Sequence, residues 1–89
     1  MSKNQTVLGI IGGGQLGSML CQAASRLKIK TFILSDDKNA PAKNFCNEFM
    51  HCNYENLEEI KSFFEQVDII TFEFEFSASV VFLVVIPAS

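Results

Sequence analysis

The stretch Val7-Leu8-Gly9-Ile10-Ile11-Gly12-Gly13-Gly14-Gln15-Leu16-Gly17 decides the fold. Its first five residues form a short apolar run of the kind that makes a buried strand. After the glycines, Leu16, Leu20, Ala23, Ala24 and Leu27 recur at helical spacing. This predicts a helix over about 15–27, with that stripe on the sheet and Ser18, Gln22, Ser25 and Arg26 facing outward. Strand, glycine turn, helix is the context that gives G-x-G-x-x-G its meaning. Within it Gly12 and Gly13 permit a tight turn, Gly14 exposes bare backbone to a ligand, and Gly17 lets the helix lie close to the sheet. The N–H groups at the helix start favour an anion. A turn that uses glycine for geometry alone would carry the same letters.

Outward from that stretch, Met1 to Thr6 is polar and reads as a frayed leader. Thr31-Phe32-Ile33-Leu34 predicts a second strand, ending at Ser35-Asp36-Asp37. Asp36 and Asp37 lie 19 and 20 residues past Gly17, about where a dinucleotide fold places a ribose-binding carboxylate. The same letters also make an ordinary polar turn. Pro41 suits the first turn of a helix running to about Asn47, and 48–52 reads as a third short strand. Asn56-Leu57-Glu58-Glu59 resembles a capping box. Leu57, Ile60, Phe64 and Val67 then mark one helical face, widened by Phe63, and Asp68 to Phe72 predicts a fourth strand. The resulting β-α-β-α-β-α-β order implies an α/β fold, a Rossmann-like open parallel sheet of four to five strands with helices on both faces.

Composition narrows the function classes. The 89 residues suffice for one small domain, and 48% hydrophobic content with nine Phe argues for a packed core. A net charge of −3 gives no basic footprint for nucleic acid. Cys21, Cys46 and Cys52 form no C-x-x-C pair, which suits reduced thiols in a cytoplasmic protein. Cys46, His51 and Cys52 cluster in sequence, yet their spacing fits no structural zinc pattern, so no metal site is expected. The apolar runs are too short for a signal-peptide core or a membrane span, so no membrane partner is expected.

Three blocks together resemble the opening of N5-carboxyaminoimidazole ribonucleotide synthase, an ATP-dependent carboxylase of purine biosynthesis in the ATP-grasp superfamily. They are Ile10 through Gly17 followed by Met19-Leu20, Asp68-Ile69-Ile70-Thr71-Phe72-Glu73-Phe74-Glu75, and the acidic turn from Asp37 into Pro41-Ala42. The resemblance covers about residues 7 to 75. It implies that 1–75 is the Rossmann-like pre-ATP-grasp domain, which binds no dinucleotide and walls one side of the aminoimidazole ribonucleotide pocket. By position, Gly14, Gln15 and Leu16 would contact this substrate through the turn. Glu75, and less directly Glu73, would face the same crevice from the end of strand four. These two carboxylates are equally the polar side of an alternating strand, Phe72 to Phe76. Ser18 stands where relatives carry an arginine, which removes one cationic side chain from anion contact.

The resemblance further implies that ATP and Mg2+ bind in later domains of a homodimeric parent enzyme. There bicarbonate, ATP and the ribonucleotide combine through a carboxyphosphate intermediate. No G-K-[ST] phosphate motif occurs in this chain, so no catalytic residue is assigned to it and no tight cofactor binding is expected. Residues 76–89 do not resemble the family. They read as a fifth strand joined early, an out-of-frame read or a truncated gene product, and Val80 to Ile86 is an aggregation site if unpaired. Two other functions remain open. One is a small NAD(P)- or nucleotide-binding module using Asp36 or Asp37. The other is a non-catalytic interaction protein that pairs through its tail strand.

Overall fold

The computed structural model describes the backbone of residues 5–76 and 79–85 and the side chains of 5–72. Strand β1 spans Val7–Ile11, helix α1 Gln15–Arg26, β2 Lys30–Ser35, β3 Glu48–His51, helix α2 Leu57–Glu65, β4 Ile69–Phe76 and β5 Ser79–Val85. The sheet order is β3-β2-β1-β4-β5. The first four strands are parallel, and the order reverses between β1 and β4. The fifth strand does not extend the parallel series. It pairs antiparallel with β4, from Phe76 opposite Ser79 to Ile70 opposite Val85, because too few residues separate the two strands for a crossover.

Helices cover both faces. On one side Ile10, Ile33, Cys21 and Ala42 form a core under α1. On the other, Phe32, Leu34, Ile70, Val67 and Phe63 pack under α2. Alternation along β1 explains the division, since Leu8 and Ile10 serve the first core and Val7 and Ile11 the second. Gly9 makes the second core possible. A Cβ there would meet Val67 Cγ1 at 2.8 Å and Phe63 Cζ at 2.9 Å. The start of β1 and the entry to β4 are clasped reciprocally. Val7 N–H donates to Asp68 Oδ2 at 2.8 Å, and Asp68 N–H donates to the Val7 carbonyl at 2.9 Å.

Several expectations are corrected. Gln5 and Thr6 are held by bonds to Lys28 and Lys30 rather than frayed, while 1–4 lie outside the described residues. The buried face of α1 is Gly17, Ser18, Cys21 and Ala24, so Ser18 faces inward and Leu27 is 71% exposed. Ser18 tolerates burial because its hydroxyl donates to the Gln15 carbonyl at 2.7 Å. Leu27 leaves the stripe because the helix stops at Arg26, with Lys28 in a left-handed conformation at φ 60°. The Lys28 N–H donates to the Ser25 carbonyl and the Ile29 N–H to the Ala24 carbonyl, closing a Schellman motif. The expected helix from Pro41 is a four-residue 3-10 turn, Pro41–Asn44. It ends early because Asn47 turns back onto β2, where its Oδ1 accepts from Thr31 N–H at 2.8 Å. In α2 the cap holds, with Asn56 Oδ1 accepting from Glu59 N–H at 3.2 Å. Its inner face, however, centres on fully buried Phe63, while Leu57 points to solvent.

Candidate functional site

The carboxyl ends of β1 and β4 converge at the point where strand order reverses. The last register pair between them is Ile11 with Phe72. From there β1 enters the glycine turn, while β4 continues four residues further, to Phe76, alongside β5. The backbone of Glu73 and Glu75 therefore lies beyond the end of β1, on the level of the turn. These residues sit within a paired strand, opposite Phe82 and Val80, rather than past its end. The expectation that their carboxylates face the crevice concerns side chains outside the described residues.

Two backbone hydrogen bonds fix the turn itself. Gly12 adopts φ 112°, a conformation that side chains disfavour, and its N–H donates to the Leu34 carbonyl at 2.9 Å. The Gly13 carbonyl accepts from Ala42 N–H at 2.9 Å, and a Cβ on Gly13 would stand 2.6 Å from Ala40 Cβ. Gly14 is the N-cap of α1, and no side chain caps this helix end. The first-turn N–H groups of Gln15, Leu16 and Gly17 are thus available to an anion or a carbonyl oxygen of a ligand. Gly17 is buried on the inner face of α1.

Gln15 and Leu16 do more than lend backbone. Their side chains line a groove of about 420 Å³ with Ser18, Met19, Gln22, Pro41 and Phe45. The groove runs between α1 and the 3-10 turn, so this part of the site borders the β2–β3 connection as well as the switch point. Phe45 was not singled out by sequence reasoning, and its only signal was an aromatic residue near Pro41.

Asp36 and Asp37 are separated in role. Asp37 Oδ1 accepts from Asn39 N–H at 2.9 Å, and Ser35 Oγ accepts from Asp37 N–H at 3.1 Å, so Asp37 builds the turn. Asp36, with His51, Asn53 and Tyr54, lines a cavity of about 410 Å³ at the ends of β2 and β3. The His51 Nε2 lies 3.2 Å from the Asp36 carbonyl oxygen. Burial, reinforced by the Asp36 charge, pushes the Tyr54 hydroxyl above its ordinary pKa. Burial likewise raises the Cys52 thiol, with the Glu59 carboxylate adding to the effect, and raises Cys46. Cys46 bonds to the Lys43 carbonyl in the 3-10 turn, away from His51. Among the described residues no three His, Cys, Asp or Glu side chains are grouped to hold a metal ion. No helix among them is long and apolar enough to cross a membrane.

Comparison with known proteins agrees with this geometry. The model of the ribonucleotide synthetase pre-ATP-grasp domain matches residues 5–82. The chain is 37% identical over 68 residues to N5-carboxyaminoimidazole ribonucleotide synthase of Staphylococcus epidermidis, covering 76% of this chain and 18% of that protein. It is 47% identical over 70 residues to phosphoribosylaminoimidazole carboxylase of Saccharomyces cerevisiae, covering 76% of this chain and 12% of the relative. The crystal structure of N5-carboxyaminoimidazole synthetase from Staphylococcus aureus complexed with ADP superposes with a TM-score of 0.73 at 32% identity. That match covers 83% of this chain and 20% of the other. The chain thus spans about a fifth or less of the length of these relatives. With the glycine turn at the end of β1 and β4 reaching past it, the chain belongs to the ribonucleotide synthetase pre-ATP-grasp domain family.

Proposed function

We propose that this chain is the substrate-side domain of an ATP-dependent ligase that converts aminoimidazole ribonucleotide, bicarbonate and ATP to N5-carboxyaminoimidazole ribonucleotide. The observation that carries the reading is the β1–β4 pairing. It sets an uncapped helix start and a bare glycine turn level with the Glu73–Glu75 backbone at the carboxyl ends of the strands. In this reading the N–H groups of Gln15 and Leu16 meet an anionic or carbonyl group of the ribonucleotide. Glu75, with Glu73 beside it in the strand, accepts hydrogen bonds from ribose hydroxyls. Gly14 allows the ligand to approach the main chain.

In this reading Mg-ATP is held by the rest of the parent enzyme, and no step is routed through it on this chain. ATP supplies the activating phosphoryl group, and that chemistry rests on residues from the rest of a homodimeric parent enzyme. Asp37 Oδ1 accepts from the Asn39 N–H, so this carboxylate already serves the turn in which it sits.

A segment exchange tests the proposal. Residues 5–76 of this chain replace the corresponding segment of the Staphylococcus aureus synthetase. Ribonucleotide-dependent ATP hydrolysis is then measured. The reading predicts that the exchange retains this activity and that Glu75→Gln within it raises KM for the ribonucleotide while leaving KM for ATP unchanged. A folded chimera that hydrolyses ATP without regard to the ribonucleotide contradicts it.

A further inference from the structure

The loop from β2 to the 3-10 turn is tied to the glycine turn on both sides. Just before the loop, the Leu34 carbonyl accepts from Gly12 N–H at 2.9 Å. Beyond it, Ala42 N–H donates to the Gly13 carbonyl at 2.9 Å. Asp37 gives the loop its shape between these two points. Its N–H donates to Ser35 Oγ at 3.1 Å, its Oδ1 accepts from Asn39 N–H at 2.9 Å, and its carbonyl accepts from Ala40 N–H at 3.1 Å. The last bond closes a four-residue turn whose first position favours a short acceptor side chain such as aspartate. Ala40 and Ala42 are then 3% and 0% exposed. A Cβ on Gly13 would stand 2.6 Å from Ala40 Cβ, so the loop can seat only against bare backbone.

We propose that Asp37 is a positioning residue for the ribonucleotide, acting through Ala40 and Ala42 on Gly13. This inference rests on the ribonucleotide reading of the glycine turn and deepens it. The Gly13 carbonyl and the Gly14 N–H belong to one planar, trans peptide unit. The Ala42 N–H that holds the carbonyl therefore also aims the Gly14 N–H, which points the opposite way. Gly14 is the N-cap of α1, so the Gln15 and Leu16 N–H groups follow from the direction set by this unit. Glycine flanks the unit on both sides, and without the Ala42 bond little steric resistance opposes its rotation. Asp37 is exposed on the loop and needs no contact with the ligand in this role. Its effect reaches the ligand through the backbone.

Amide hydrogen exchange on variants of the 89-residue chain, with kinetics of the same variants in the Staphylococcus aureus segment exchange, tests it. In Asp37→Ala the Ala42 amide should exchange about tenfold faster, the effect of losing a hydrogen bond or two of ordinary net strength. The Ile10 and Ile33 amides should keep their protection. KM for the ribonucleotide should rise about tenfold, because binding groups are misplaced, while KM for ATP stays unchanged. Asp37→Asn retains an acceptor for the Asn39 N–H and should match the unaltered chain in both readouts. Gly13→Ala should raise the same KM, and adding Ala40→Gly should restore it. Val67→Ala, which loosens the core under α2, should leave that KM unmoved. An unchanged Ala42 amide in Asp37→Ala overturns the proposal. So does an Asp37→Asn that raises KM as much as Asp37→Ala, since the charge would then meet the ligand directly, or a Val67→Ala that raises it equally. If Gly13→Ala unfolds, the two Asp37 variants decide. A folded segment exchange that ignores the ribonucleotide overturns the ribonucleotide reading and this inference with it, whereas failure of the Asp37 variants alone overturns only this inference.

Discussion

The Gly13 carbonyl oxygen accepts the Ala42 N–H at 2.9 Å, and this bond joins the glycine turn to the 3-10 turn that follows β2. The join demands close backbone approach, because a Cβ on Gly13 would stand 2.6 Å from Ala40 Cβ. Gly13→Ala should therefore destabilise the protein by about 1–3 kcal/mol, the usual cost of forcing a methyl group into packed space. Urea unfolding checks the value. Adding Ala40→Gly to the variant should recover much of the loss, and a pair of purely additive effects would show that the contact is not the cause.

Lys28 occupies the position after the α1 C-cap at φ 60°, where glycine is the usual residue. A side chain in this conformation costs about 1–2 kcal/mol. Lys28→Gly should raise the urea midpoint, with the gain reduced by the greater freedom of glycine in the unfolded chain. Lys28→Val should lower it, because branching at Cβ makes the left-handed conformation worse.

Alkaline stability should follow Cys52. Burial, with Glu59 and then Asp36 adding charge, lifts this thiol above its ordinary value of 9.0. The folded state therefore holds the proton more tightly than the unfolded state does. Its contribution is fully present below pH 9.0 and is lost as pH rises through the higher folded value. Tyr54 acts in the same sense above 10.0. Unfolding free energy should decline above about pH 9 and decline less steeply in Cys52→Ala. Iodoacetamide should also alkylate Cys46 and Cys52 more slowly than an unhindered thiol at pH 8, since the thiolate reacts.

The four parallel strands, the glycine turn and the Asn56 cap were legible in the sequence because each rests on local pattern. Apolar runs mark the strands, glycine marks the turn, and Asn followed by Glu at the third position marks the cap. Helix faces were less legible. Polar Ser18 turned inward because a hydroxyl can satisfy itself on its own helix, and apolar Leu27 turned outward because the chain reverses beside it. The role of Gly9 was invisible as well, since it depends on Val67 and Phe63 arriving from a distant helix. In the candidate site, Gln15 and Leu16 are the residues that the family resemblance singles out, and they line the groove. Phe45 is not singled out, because the groove they share is made by tertiary packing.

The α2 face supplies a direct contrast. Phe63 is fully buried among Phe32, Val67 and Ile70, and its ring meets that of Phe32 edge-on at 4.9 Å. Phe63→Ala should cost about 3–5 kcal/mol. Leu57 is 76% exposed, and Leu57→Ala should stay within about 0.5 kcal/mol of the unaltered chain. Thermal unfolding of both variants separates the true helix face from the one that periodicity suggests.

The central claim is that the glycine turn and the end of β4 meet aminoimidazole ribonucleotide. The most direct test is an amide chemical-shift titration of the chain with that ribonucleotide and, separately, with NADH. Saturable shifts at Gly14, Gln15, Leu16, Glu73 and Glu75 with the ribonucleotide, and none with NADH, are the predicted result. Saturable NADH shifts centred on Asp36 and Gly12, with the ribonucleotide leaving the turn unmoved, would contradict it.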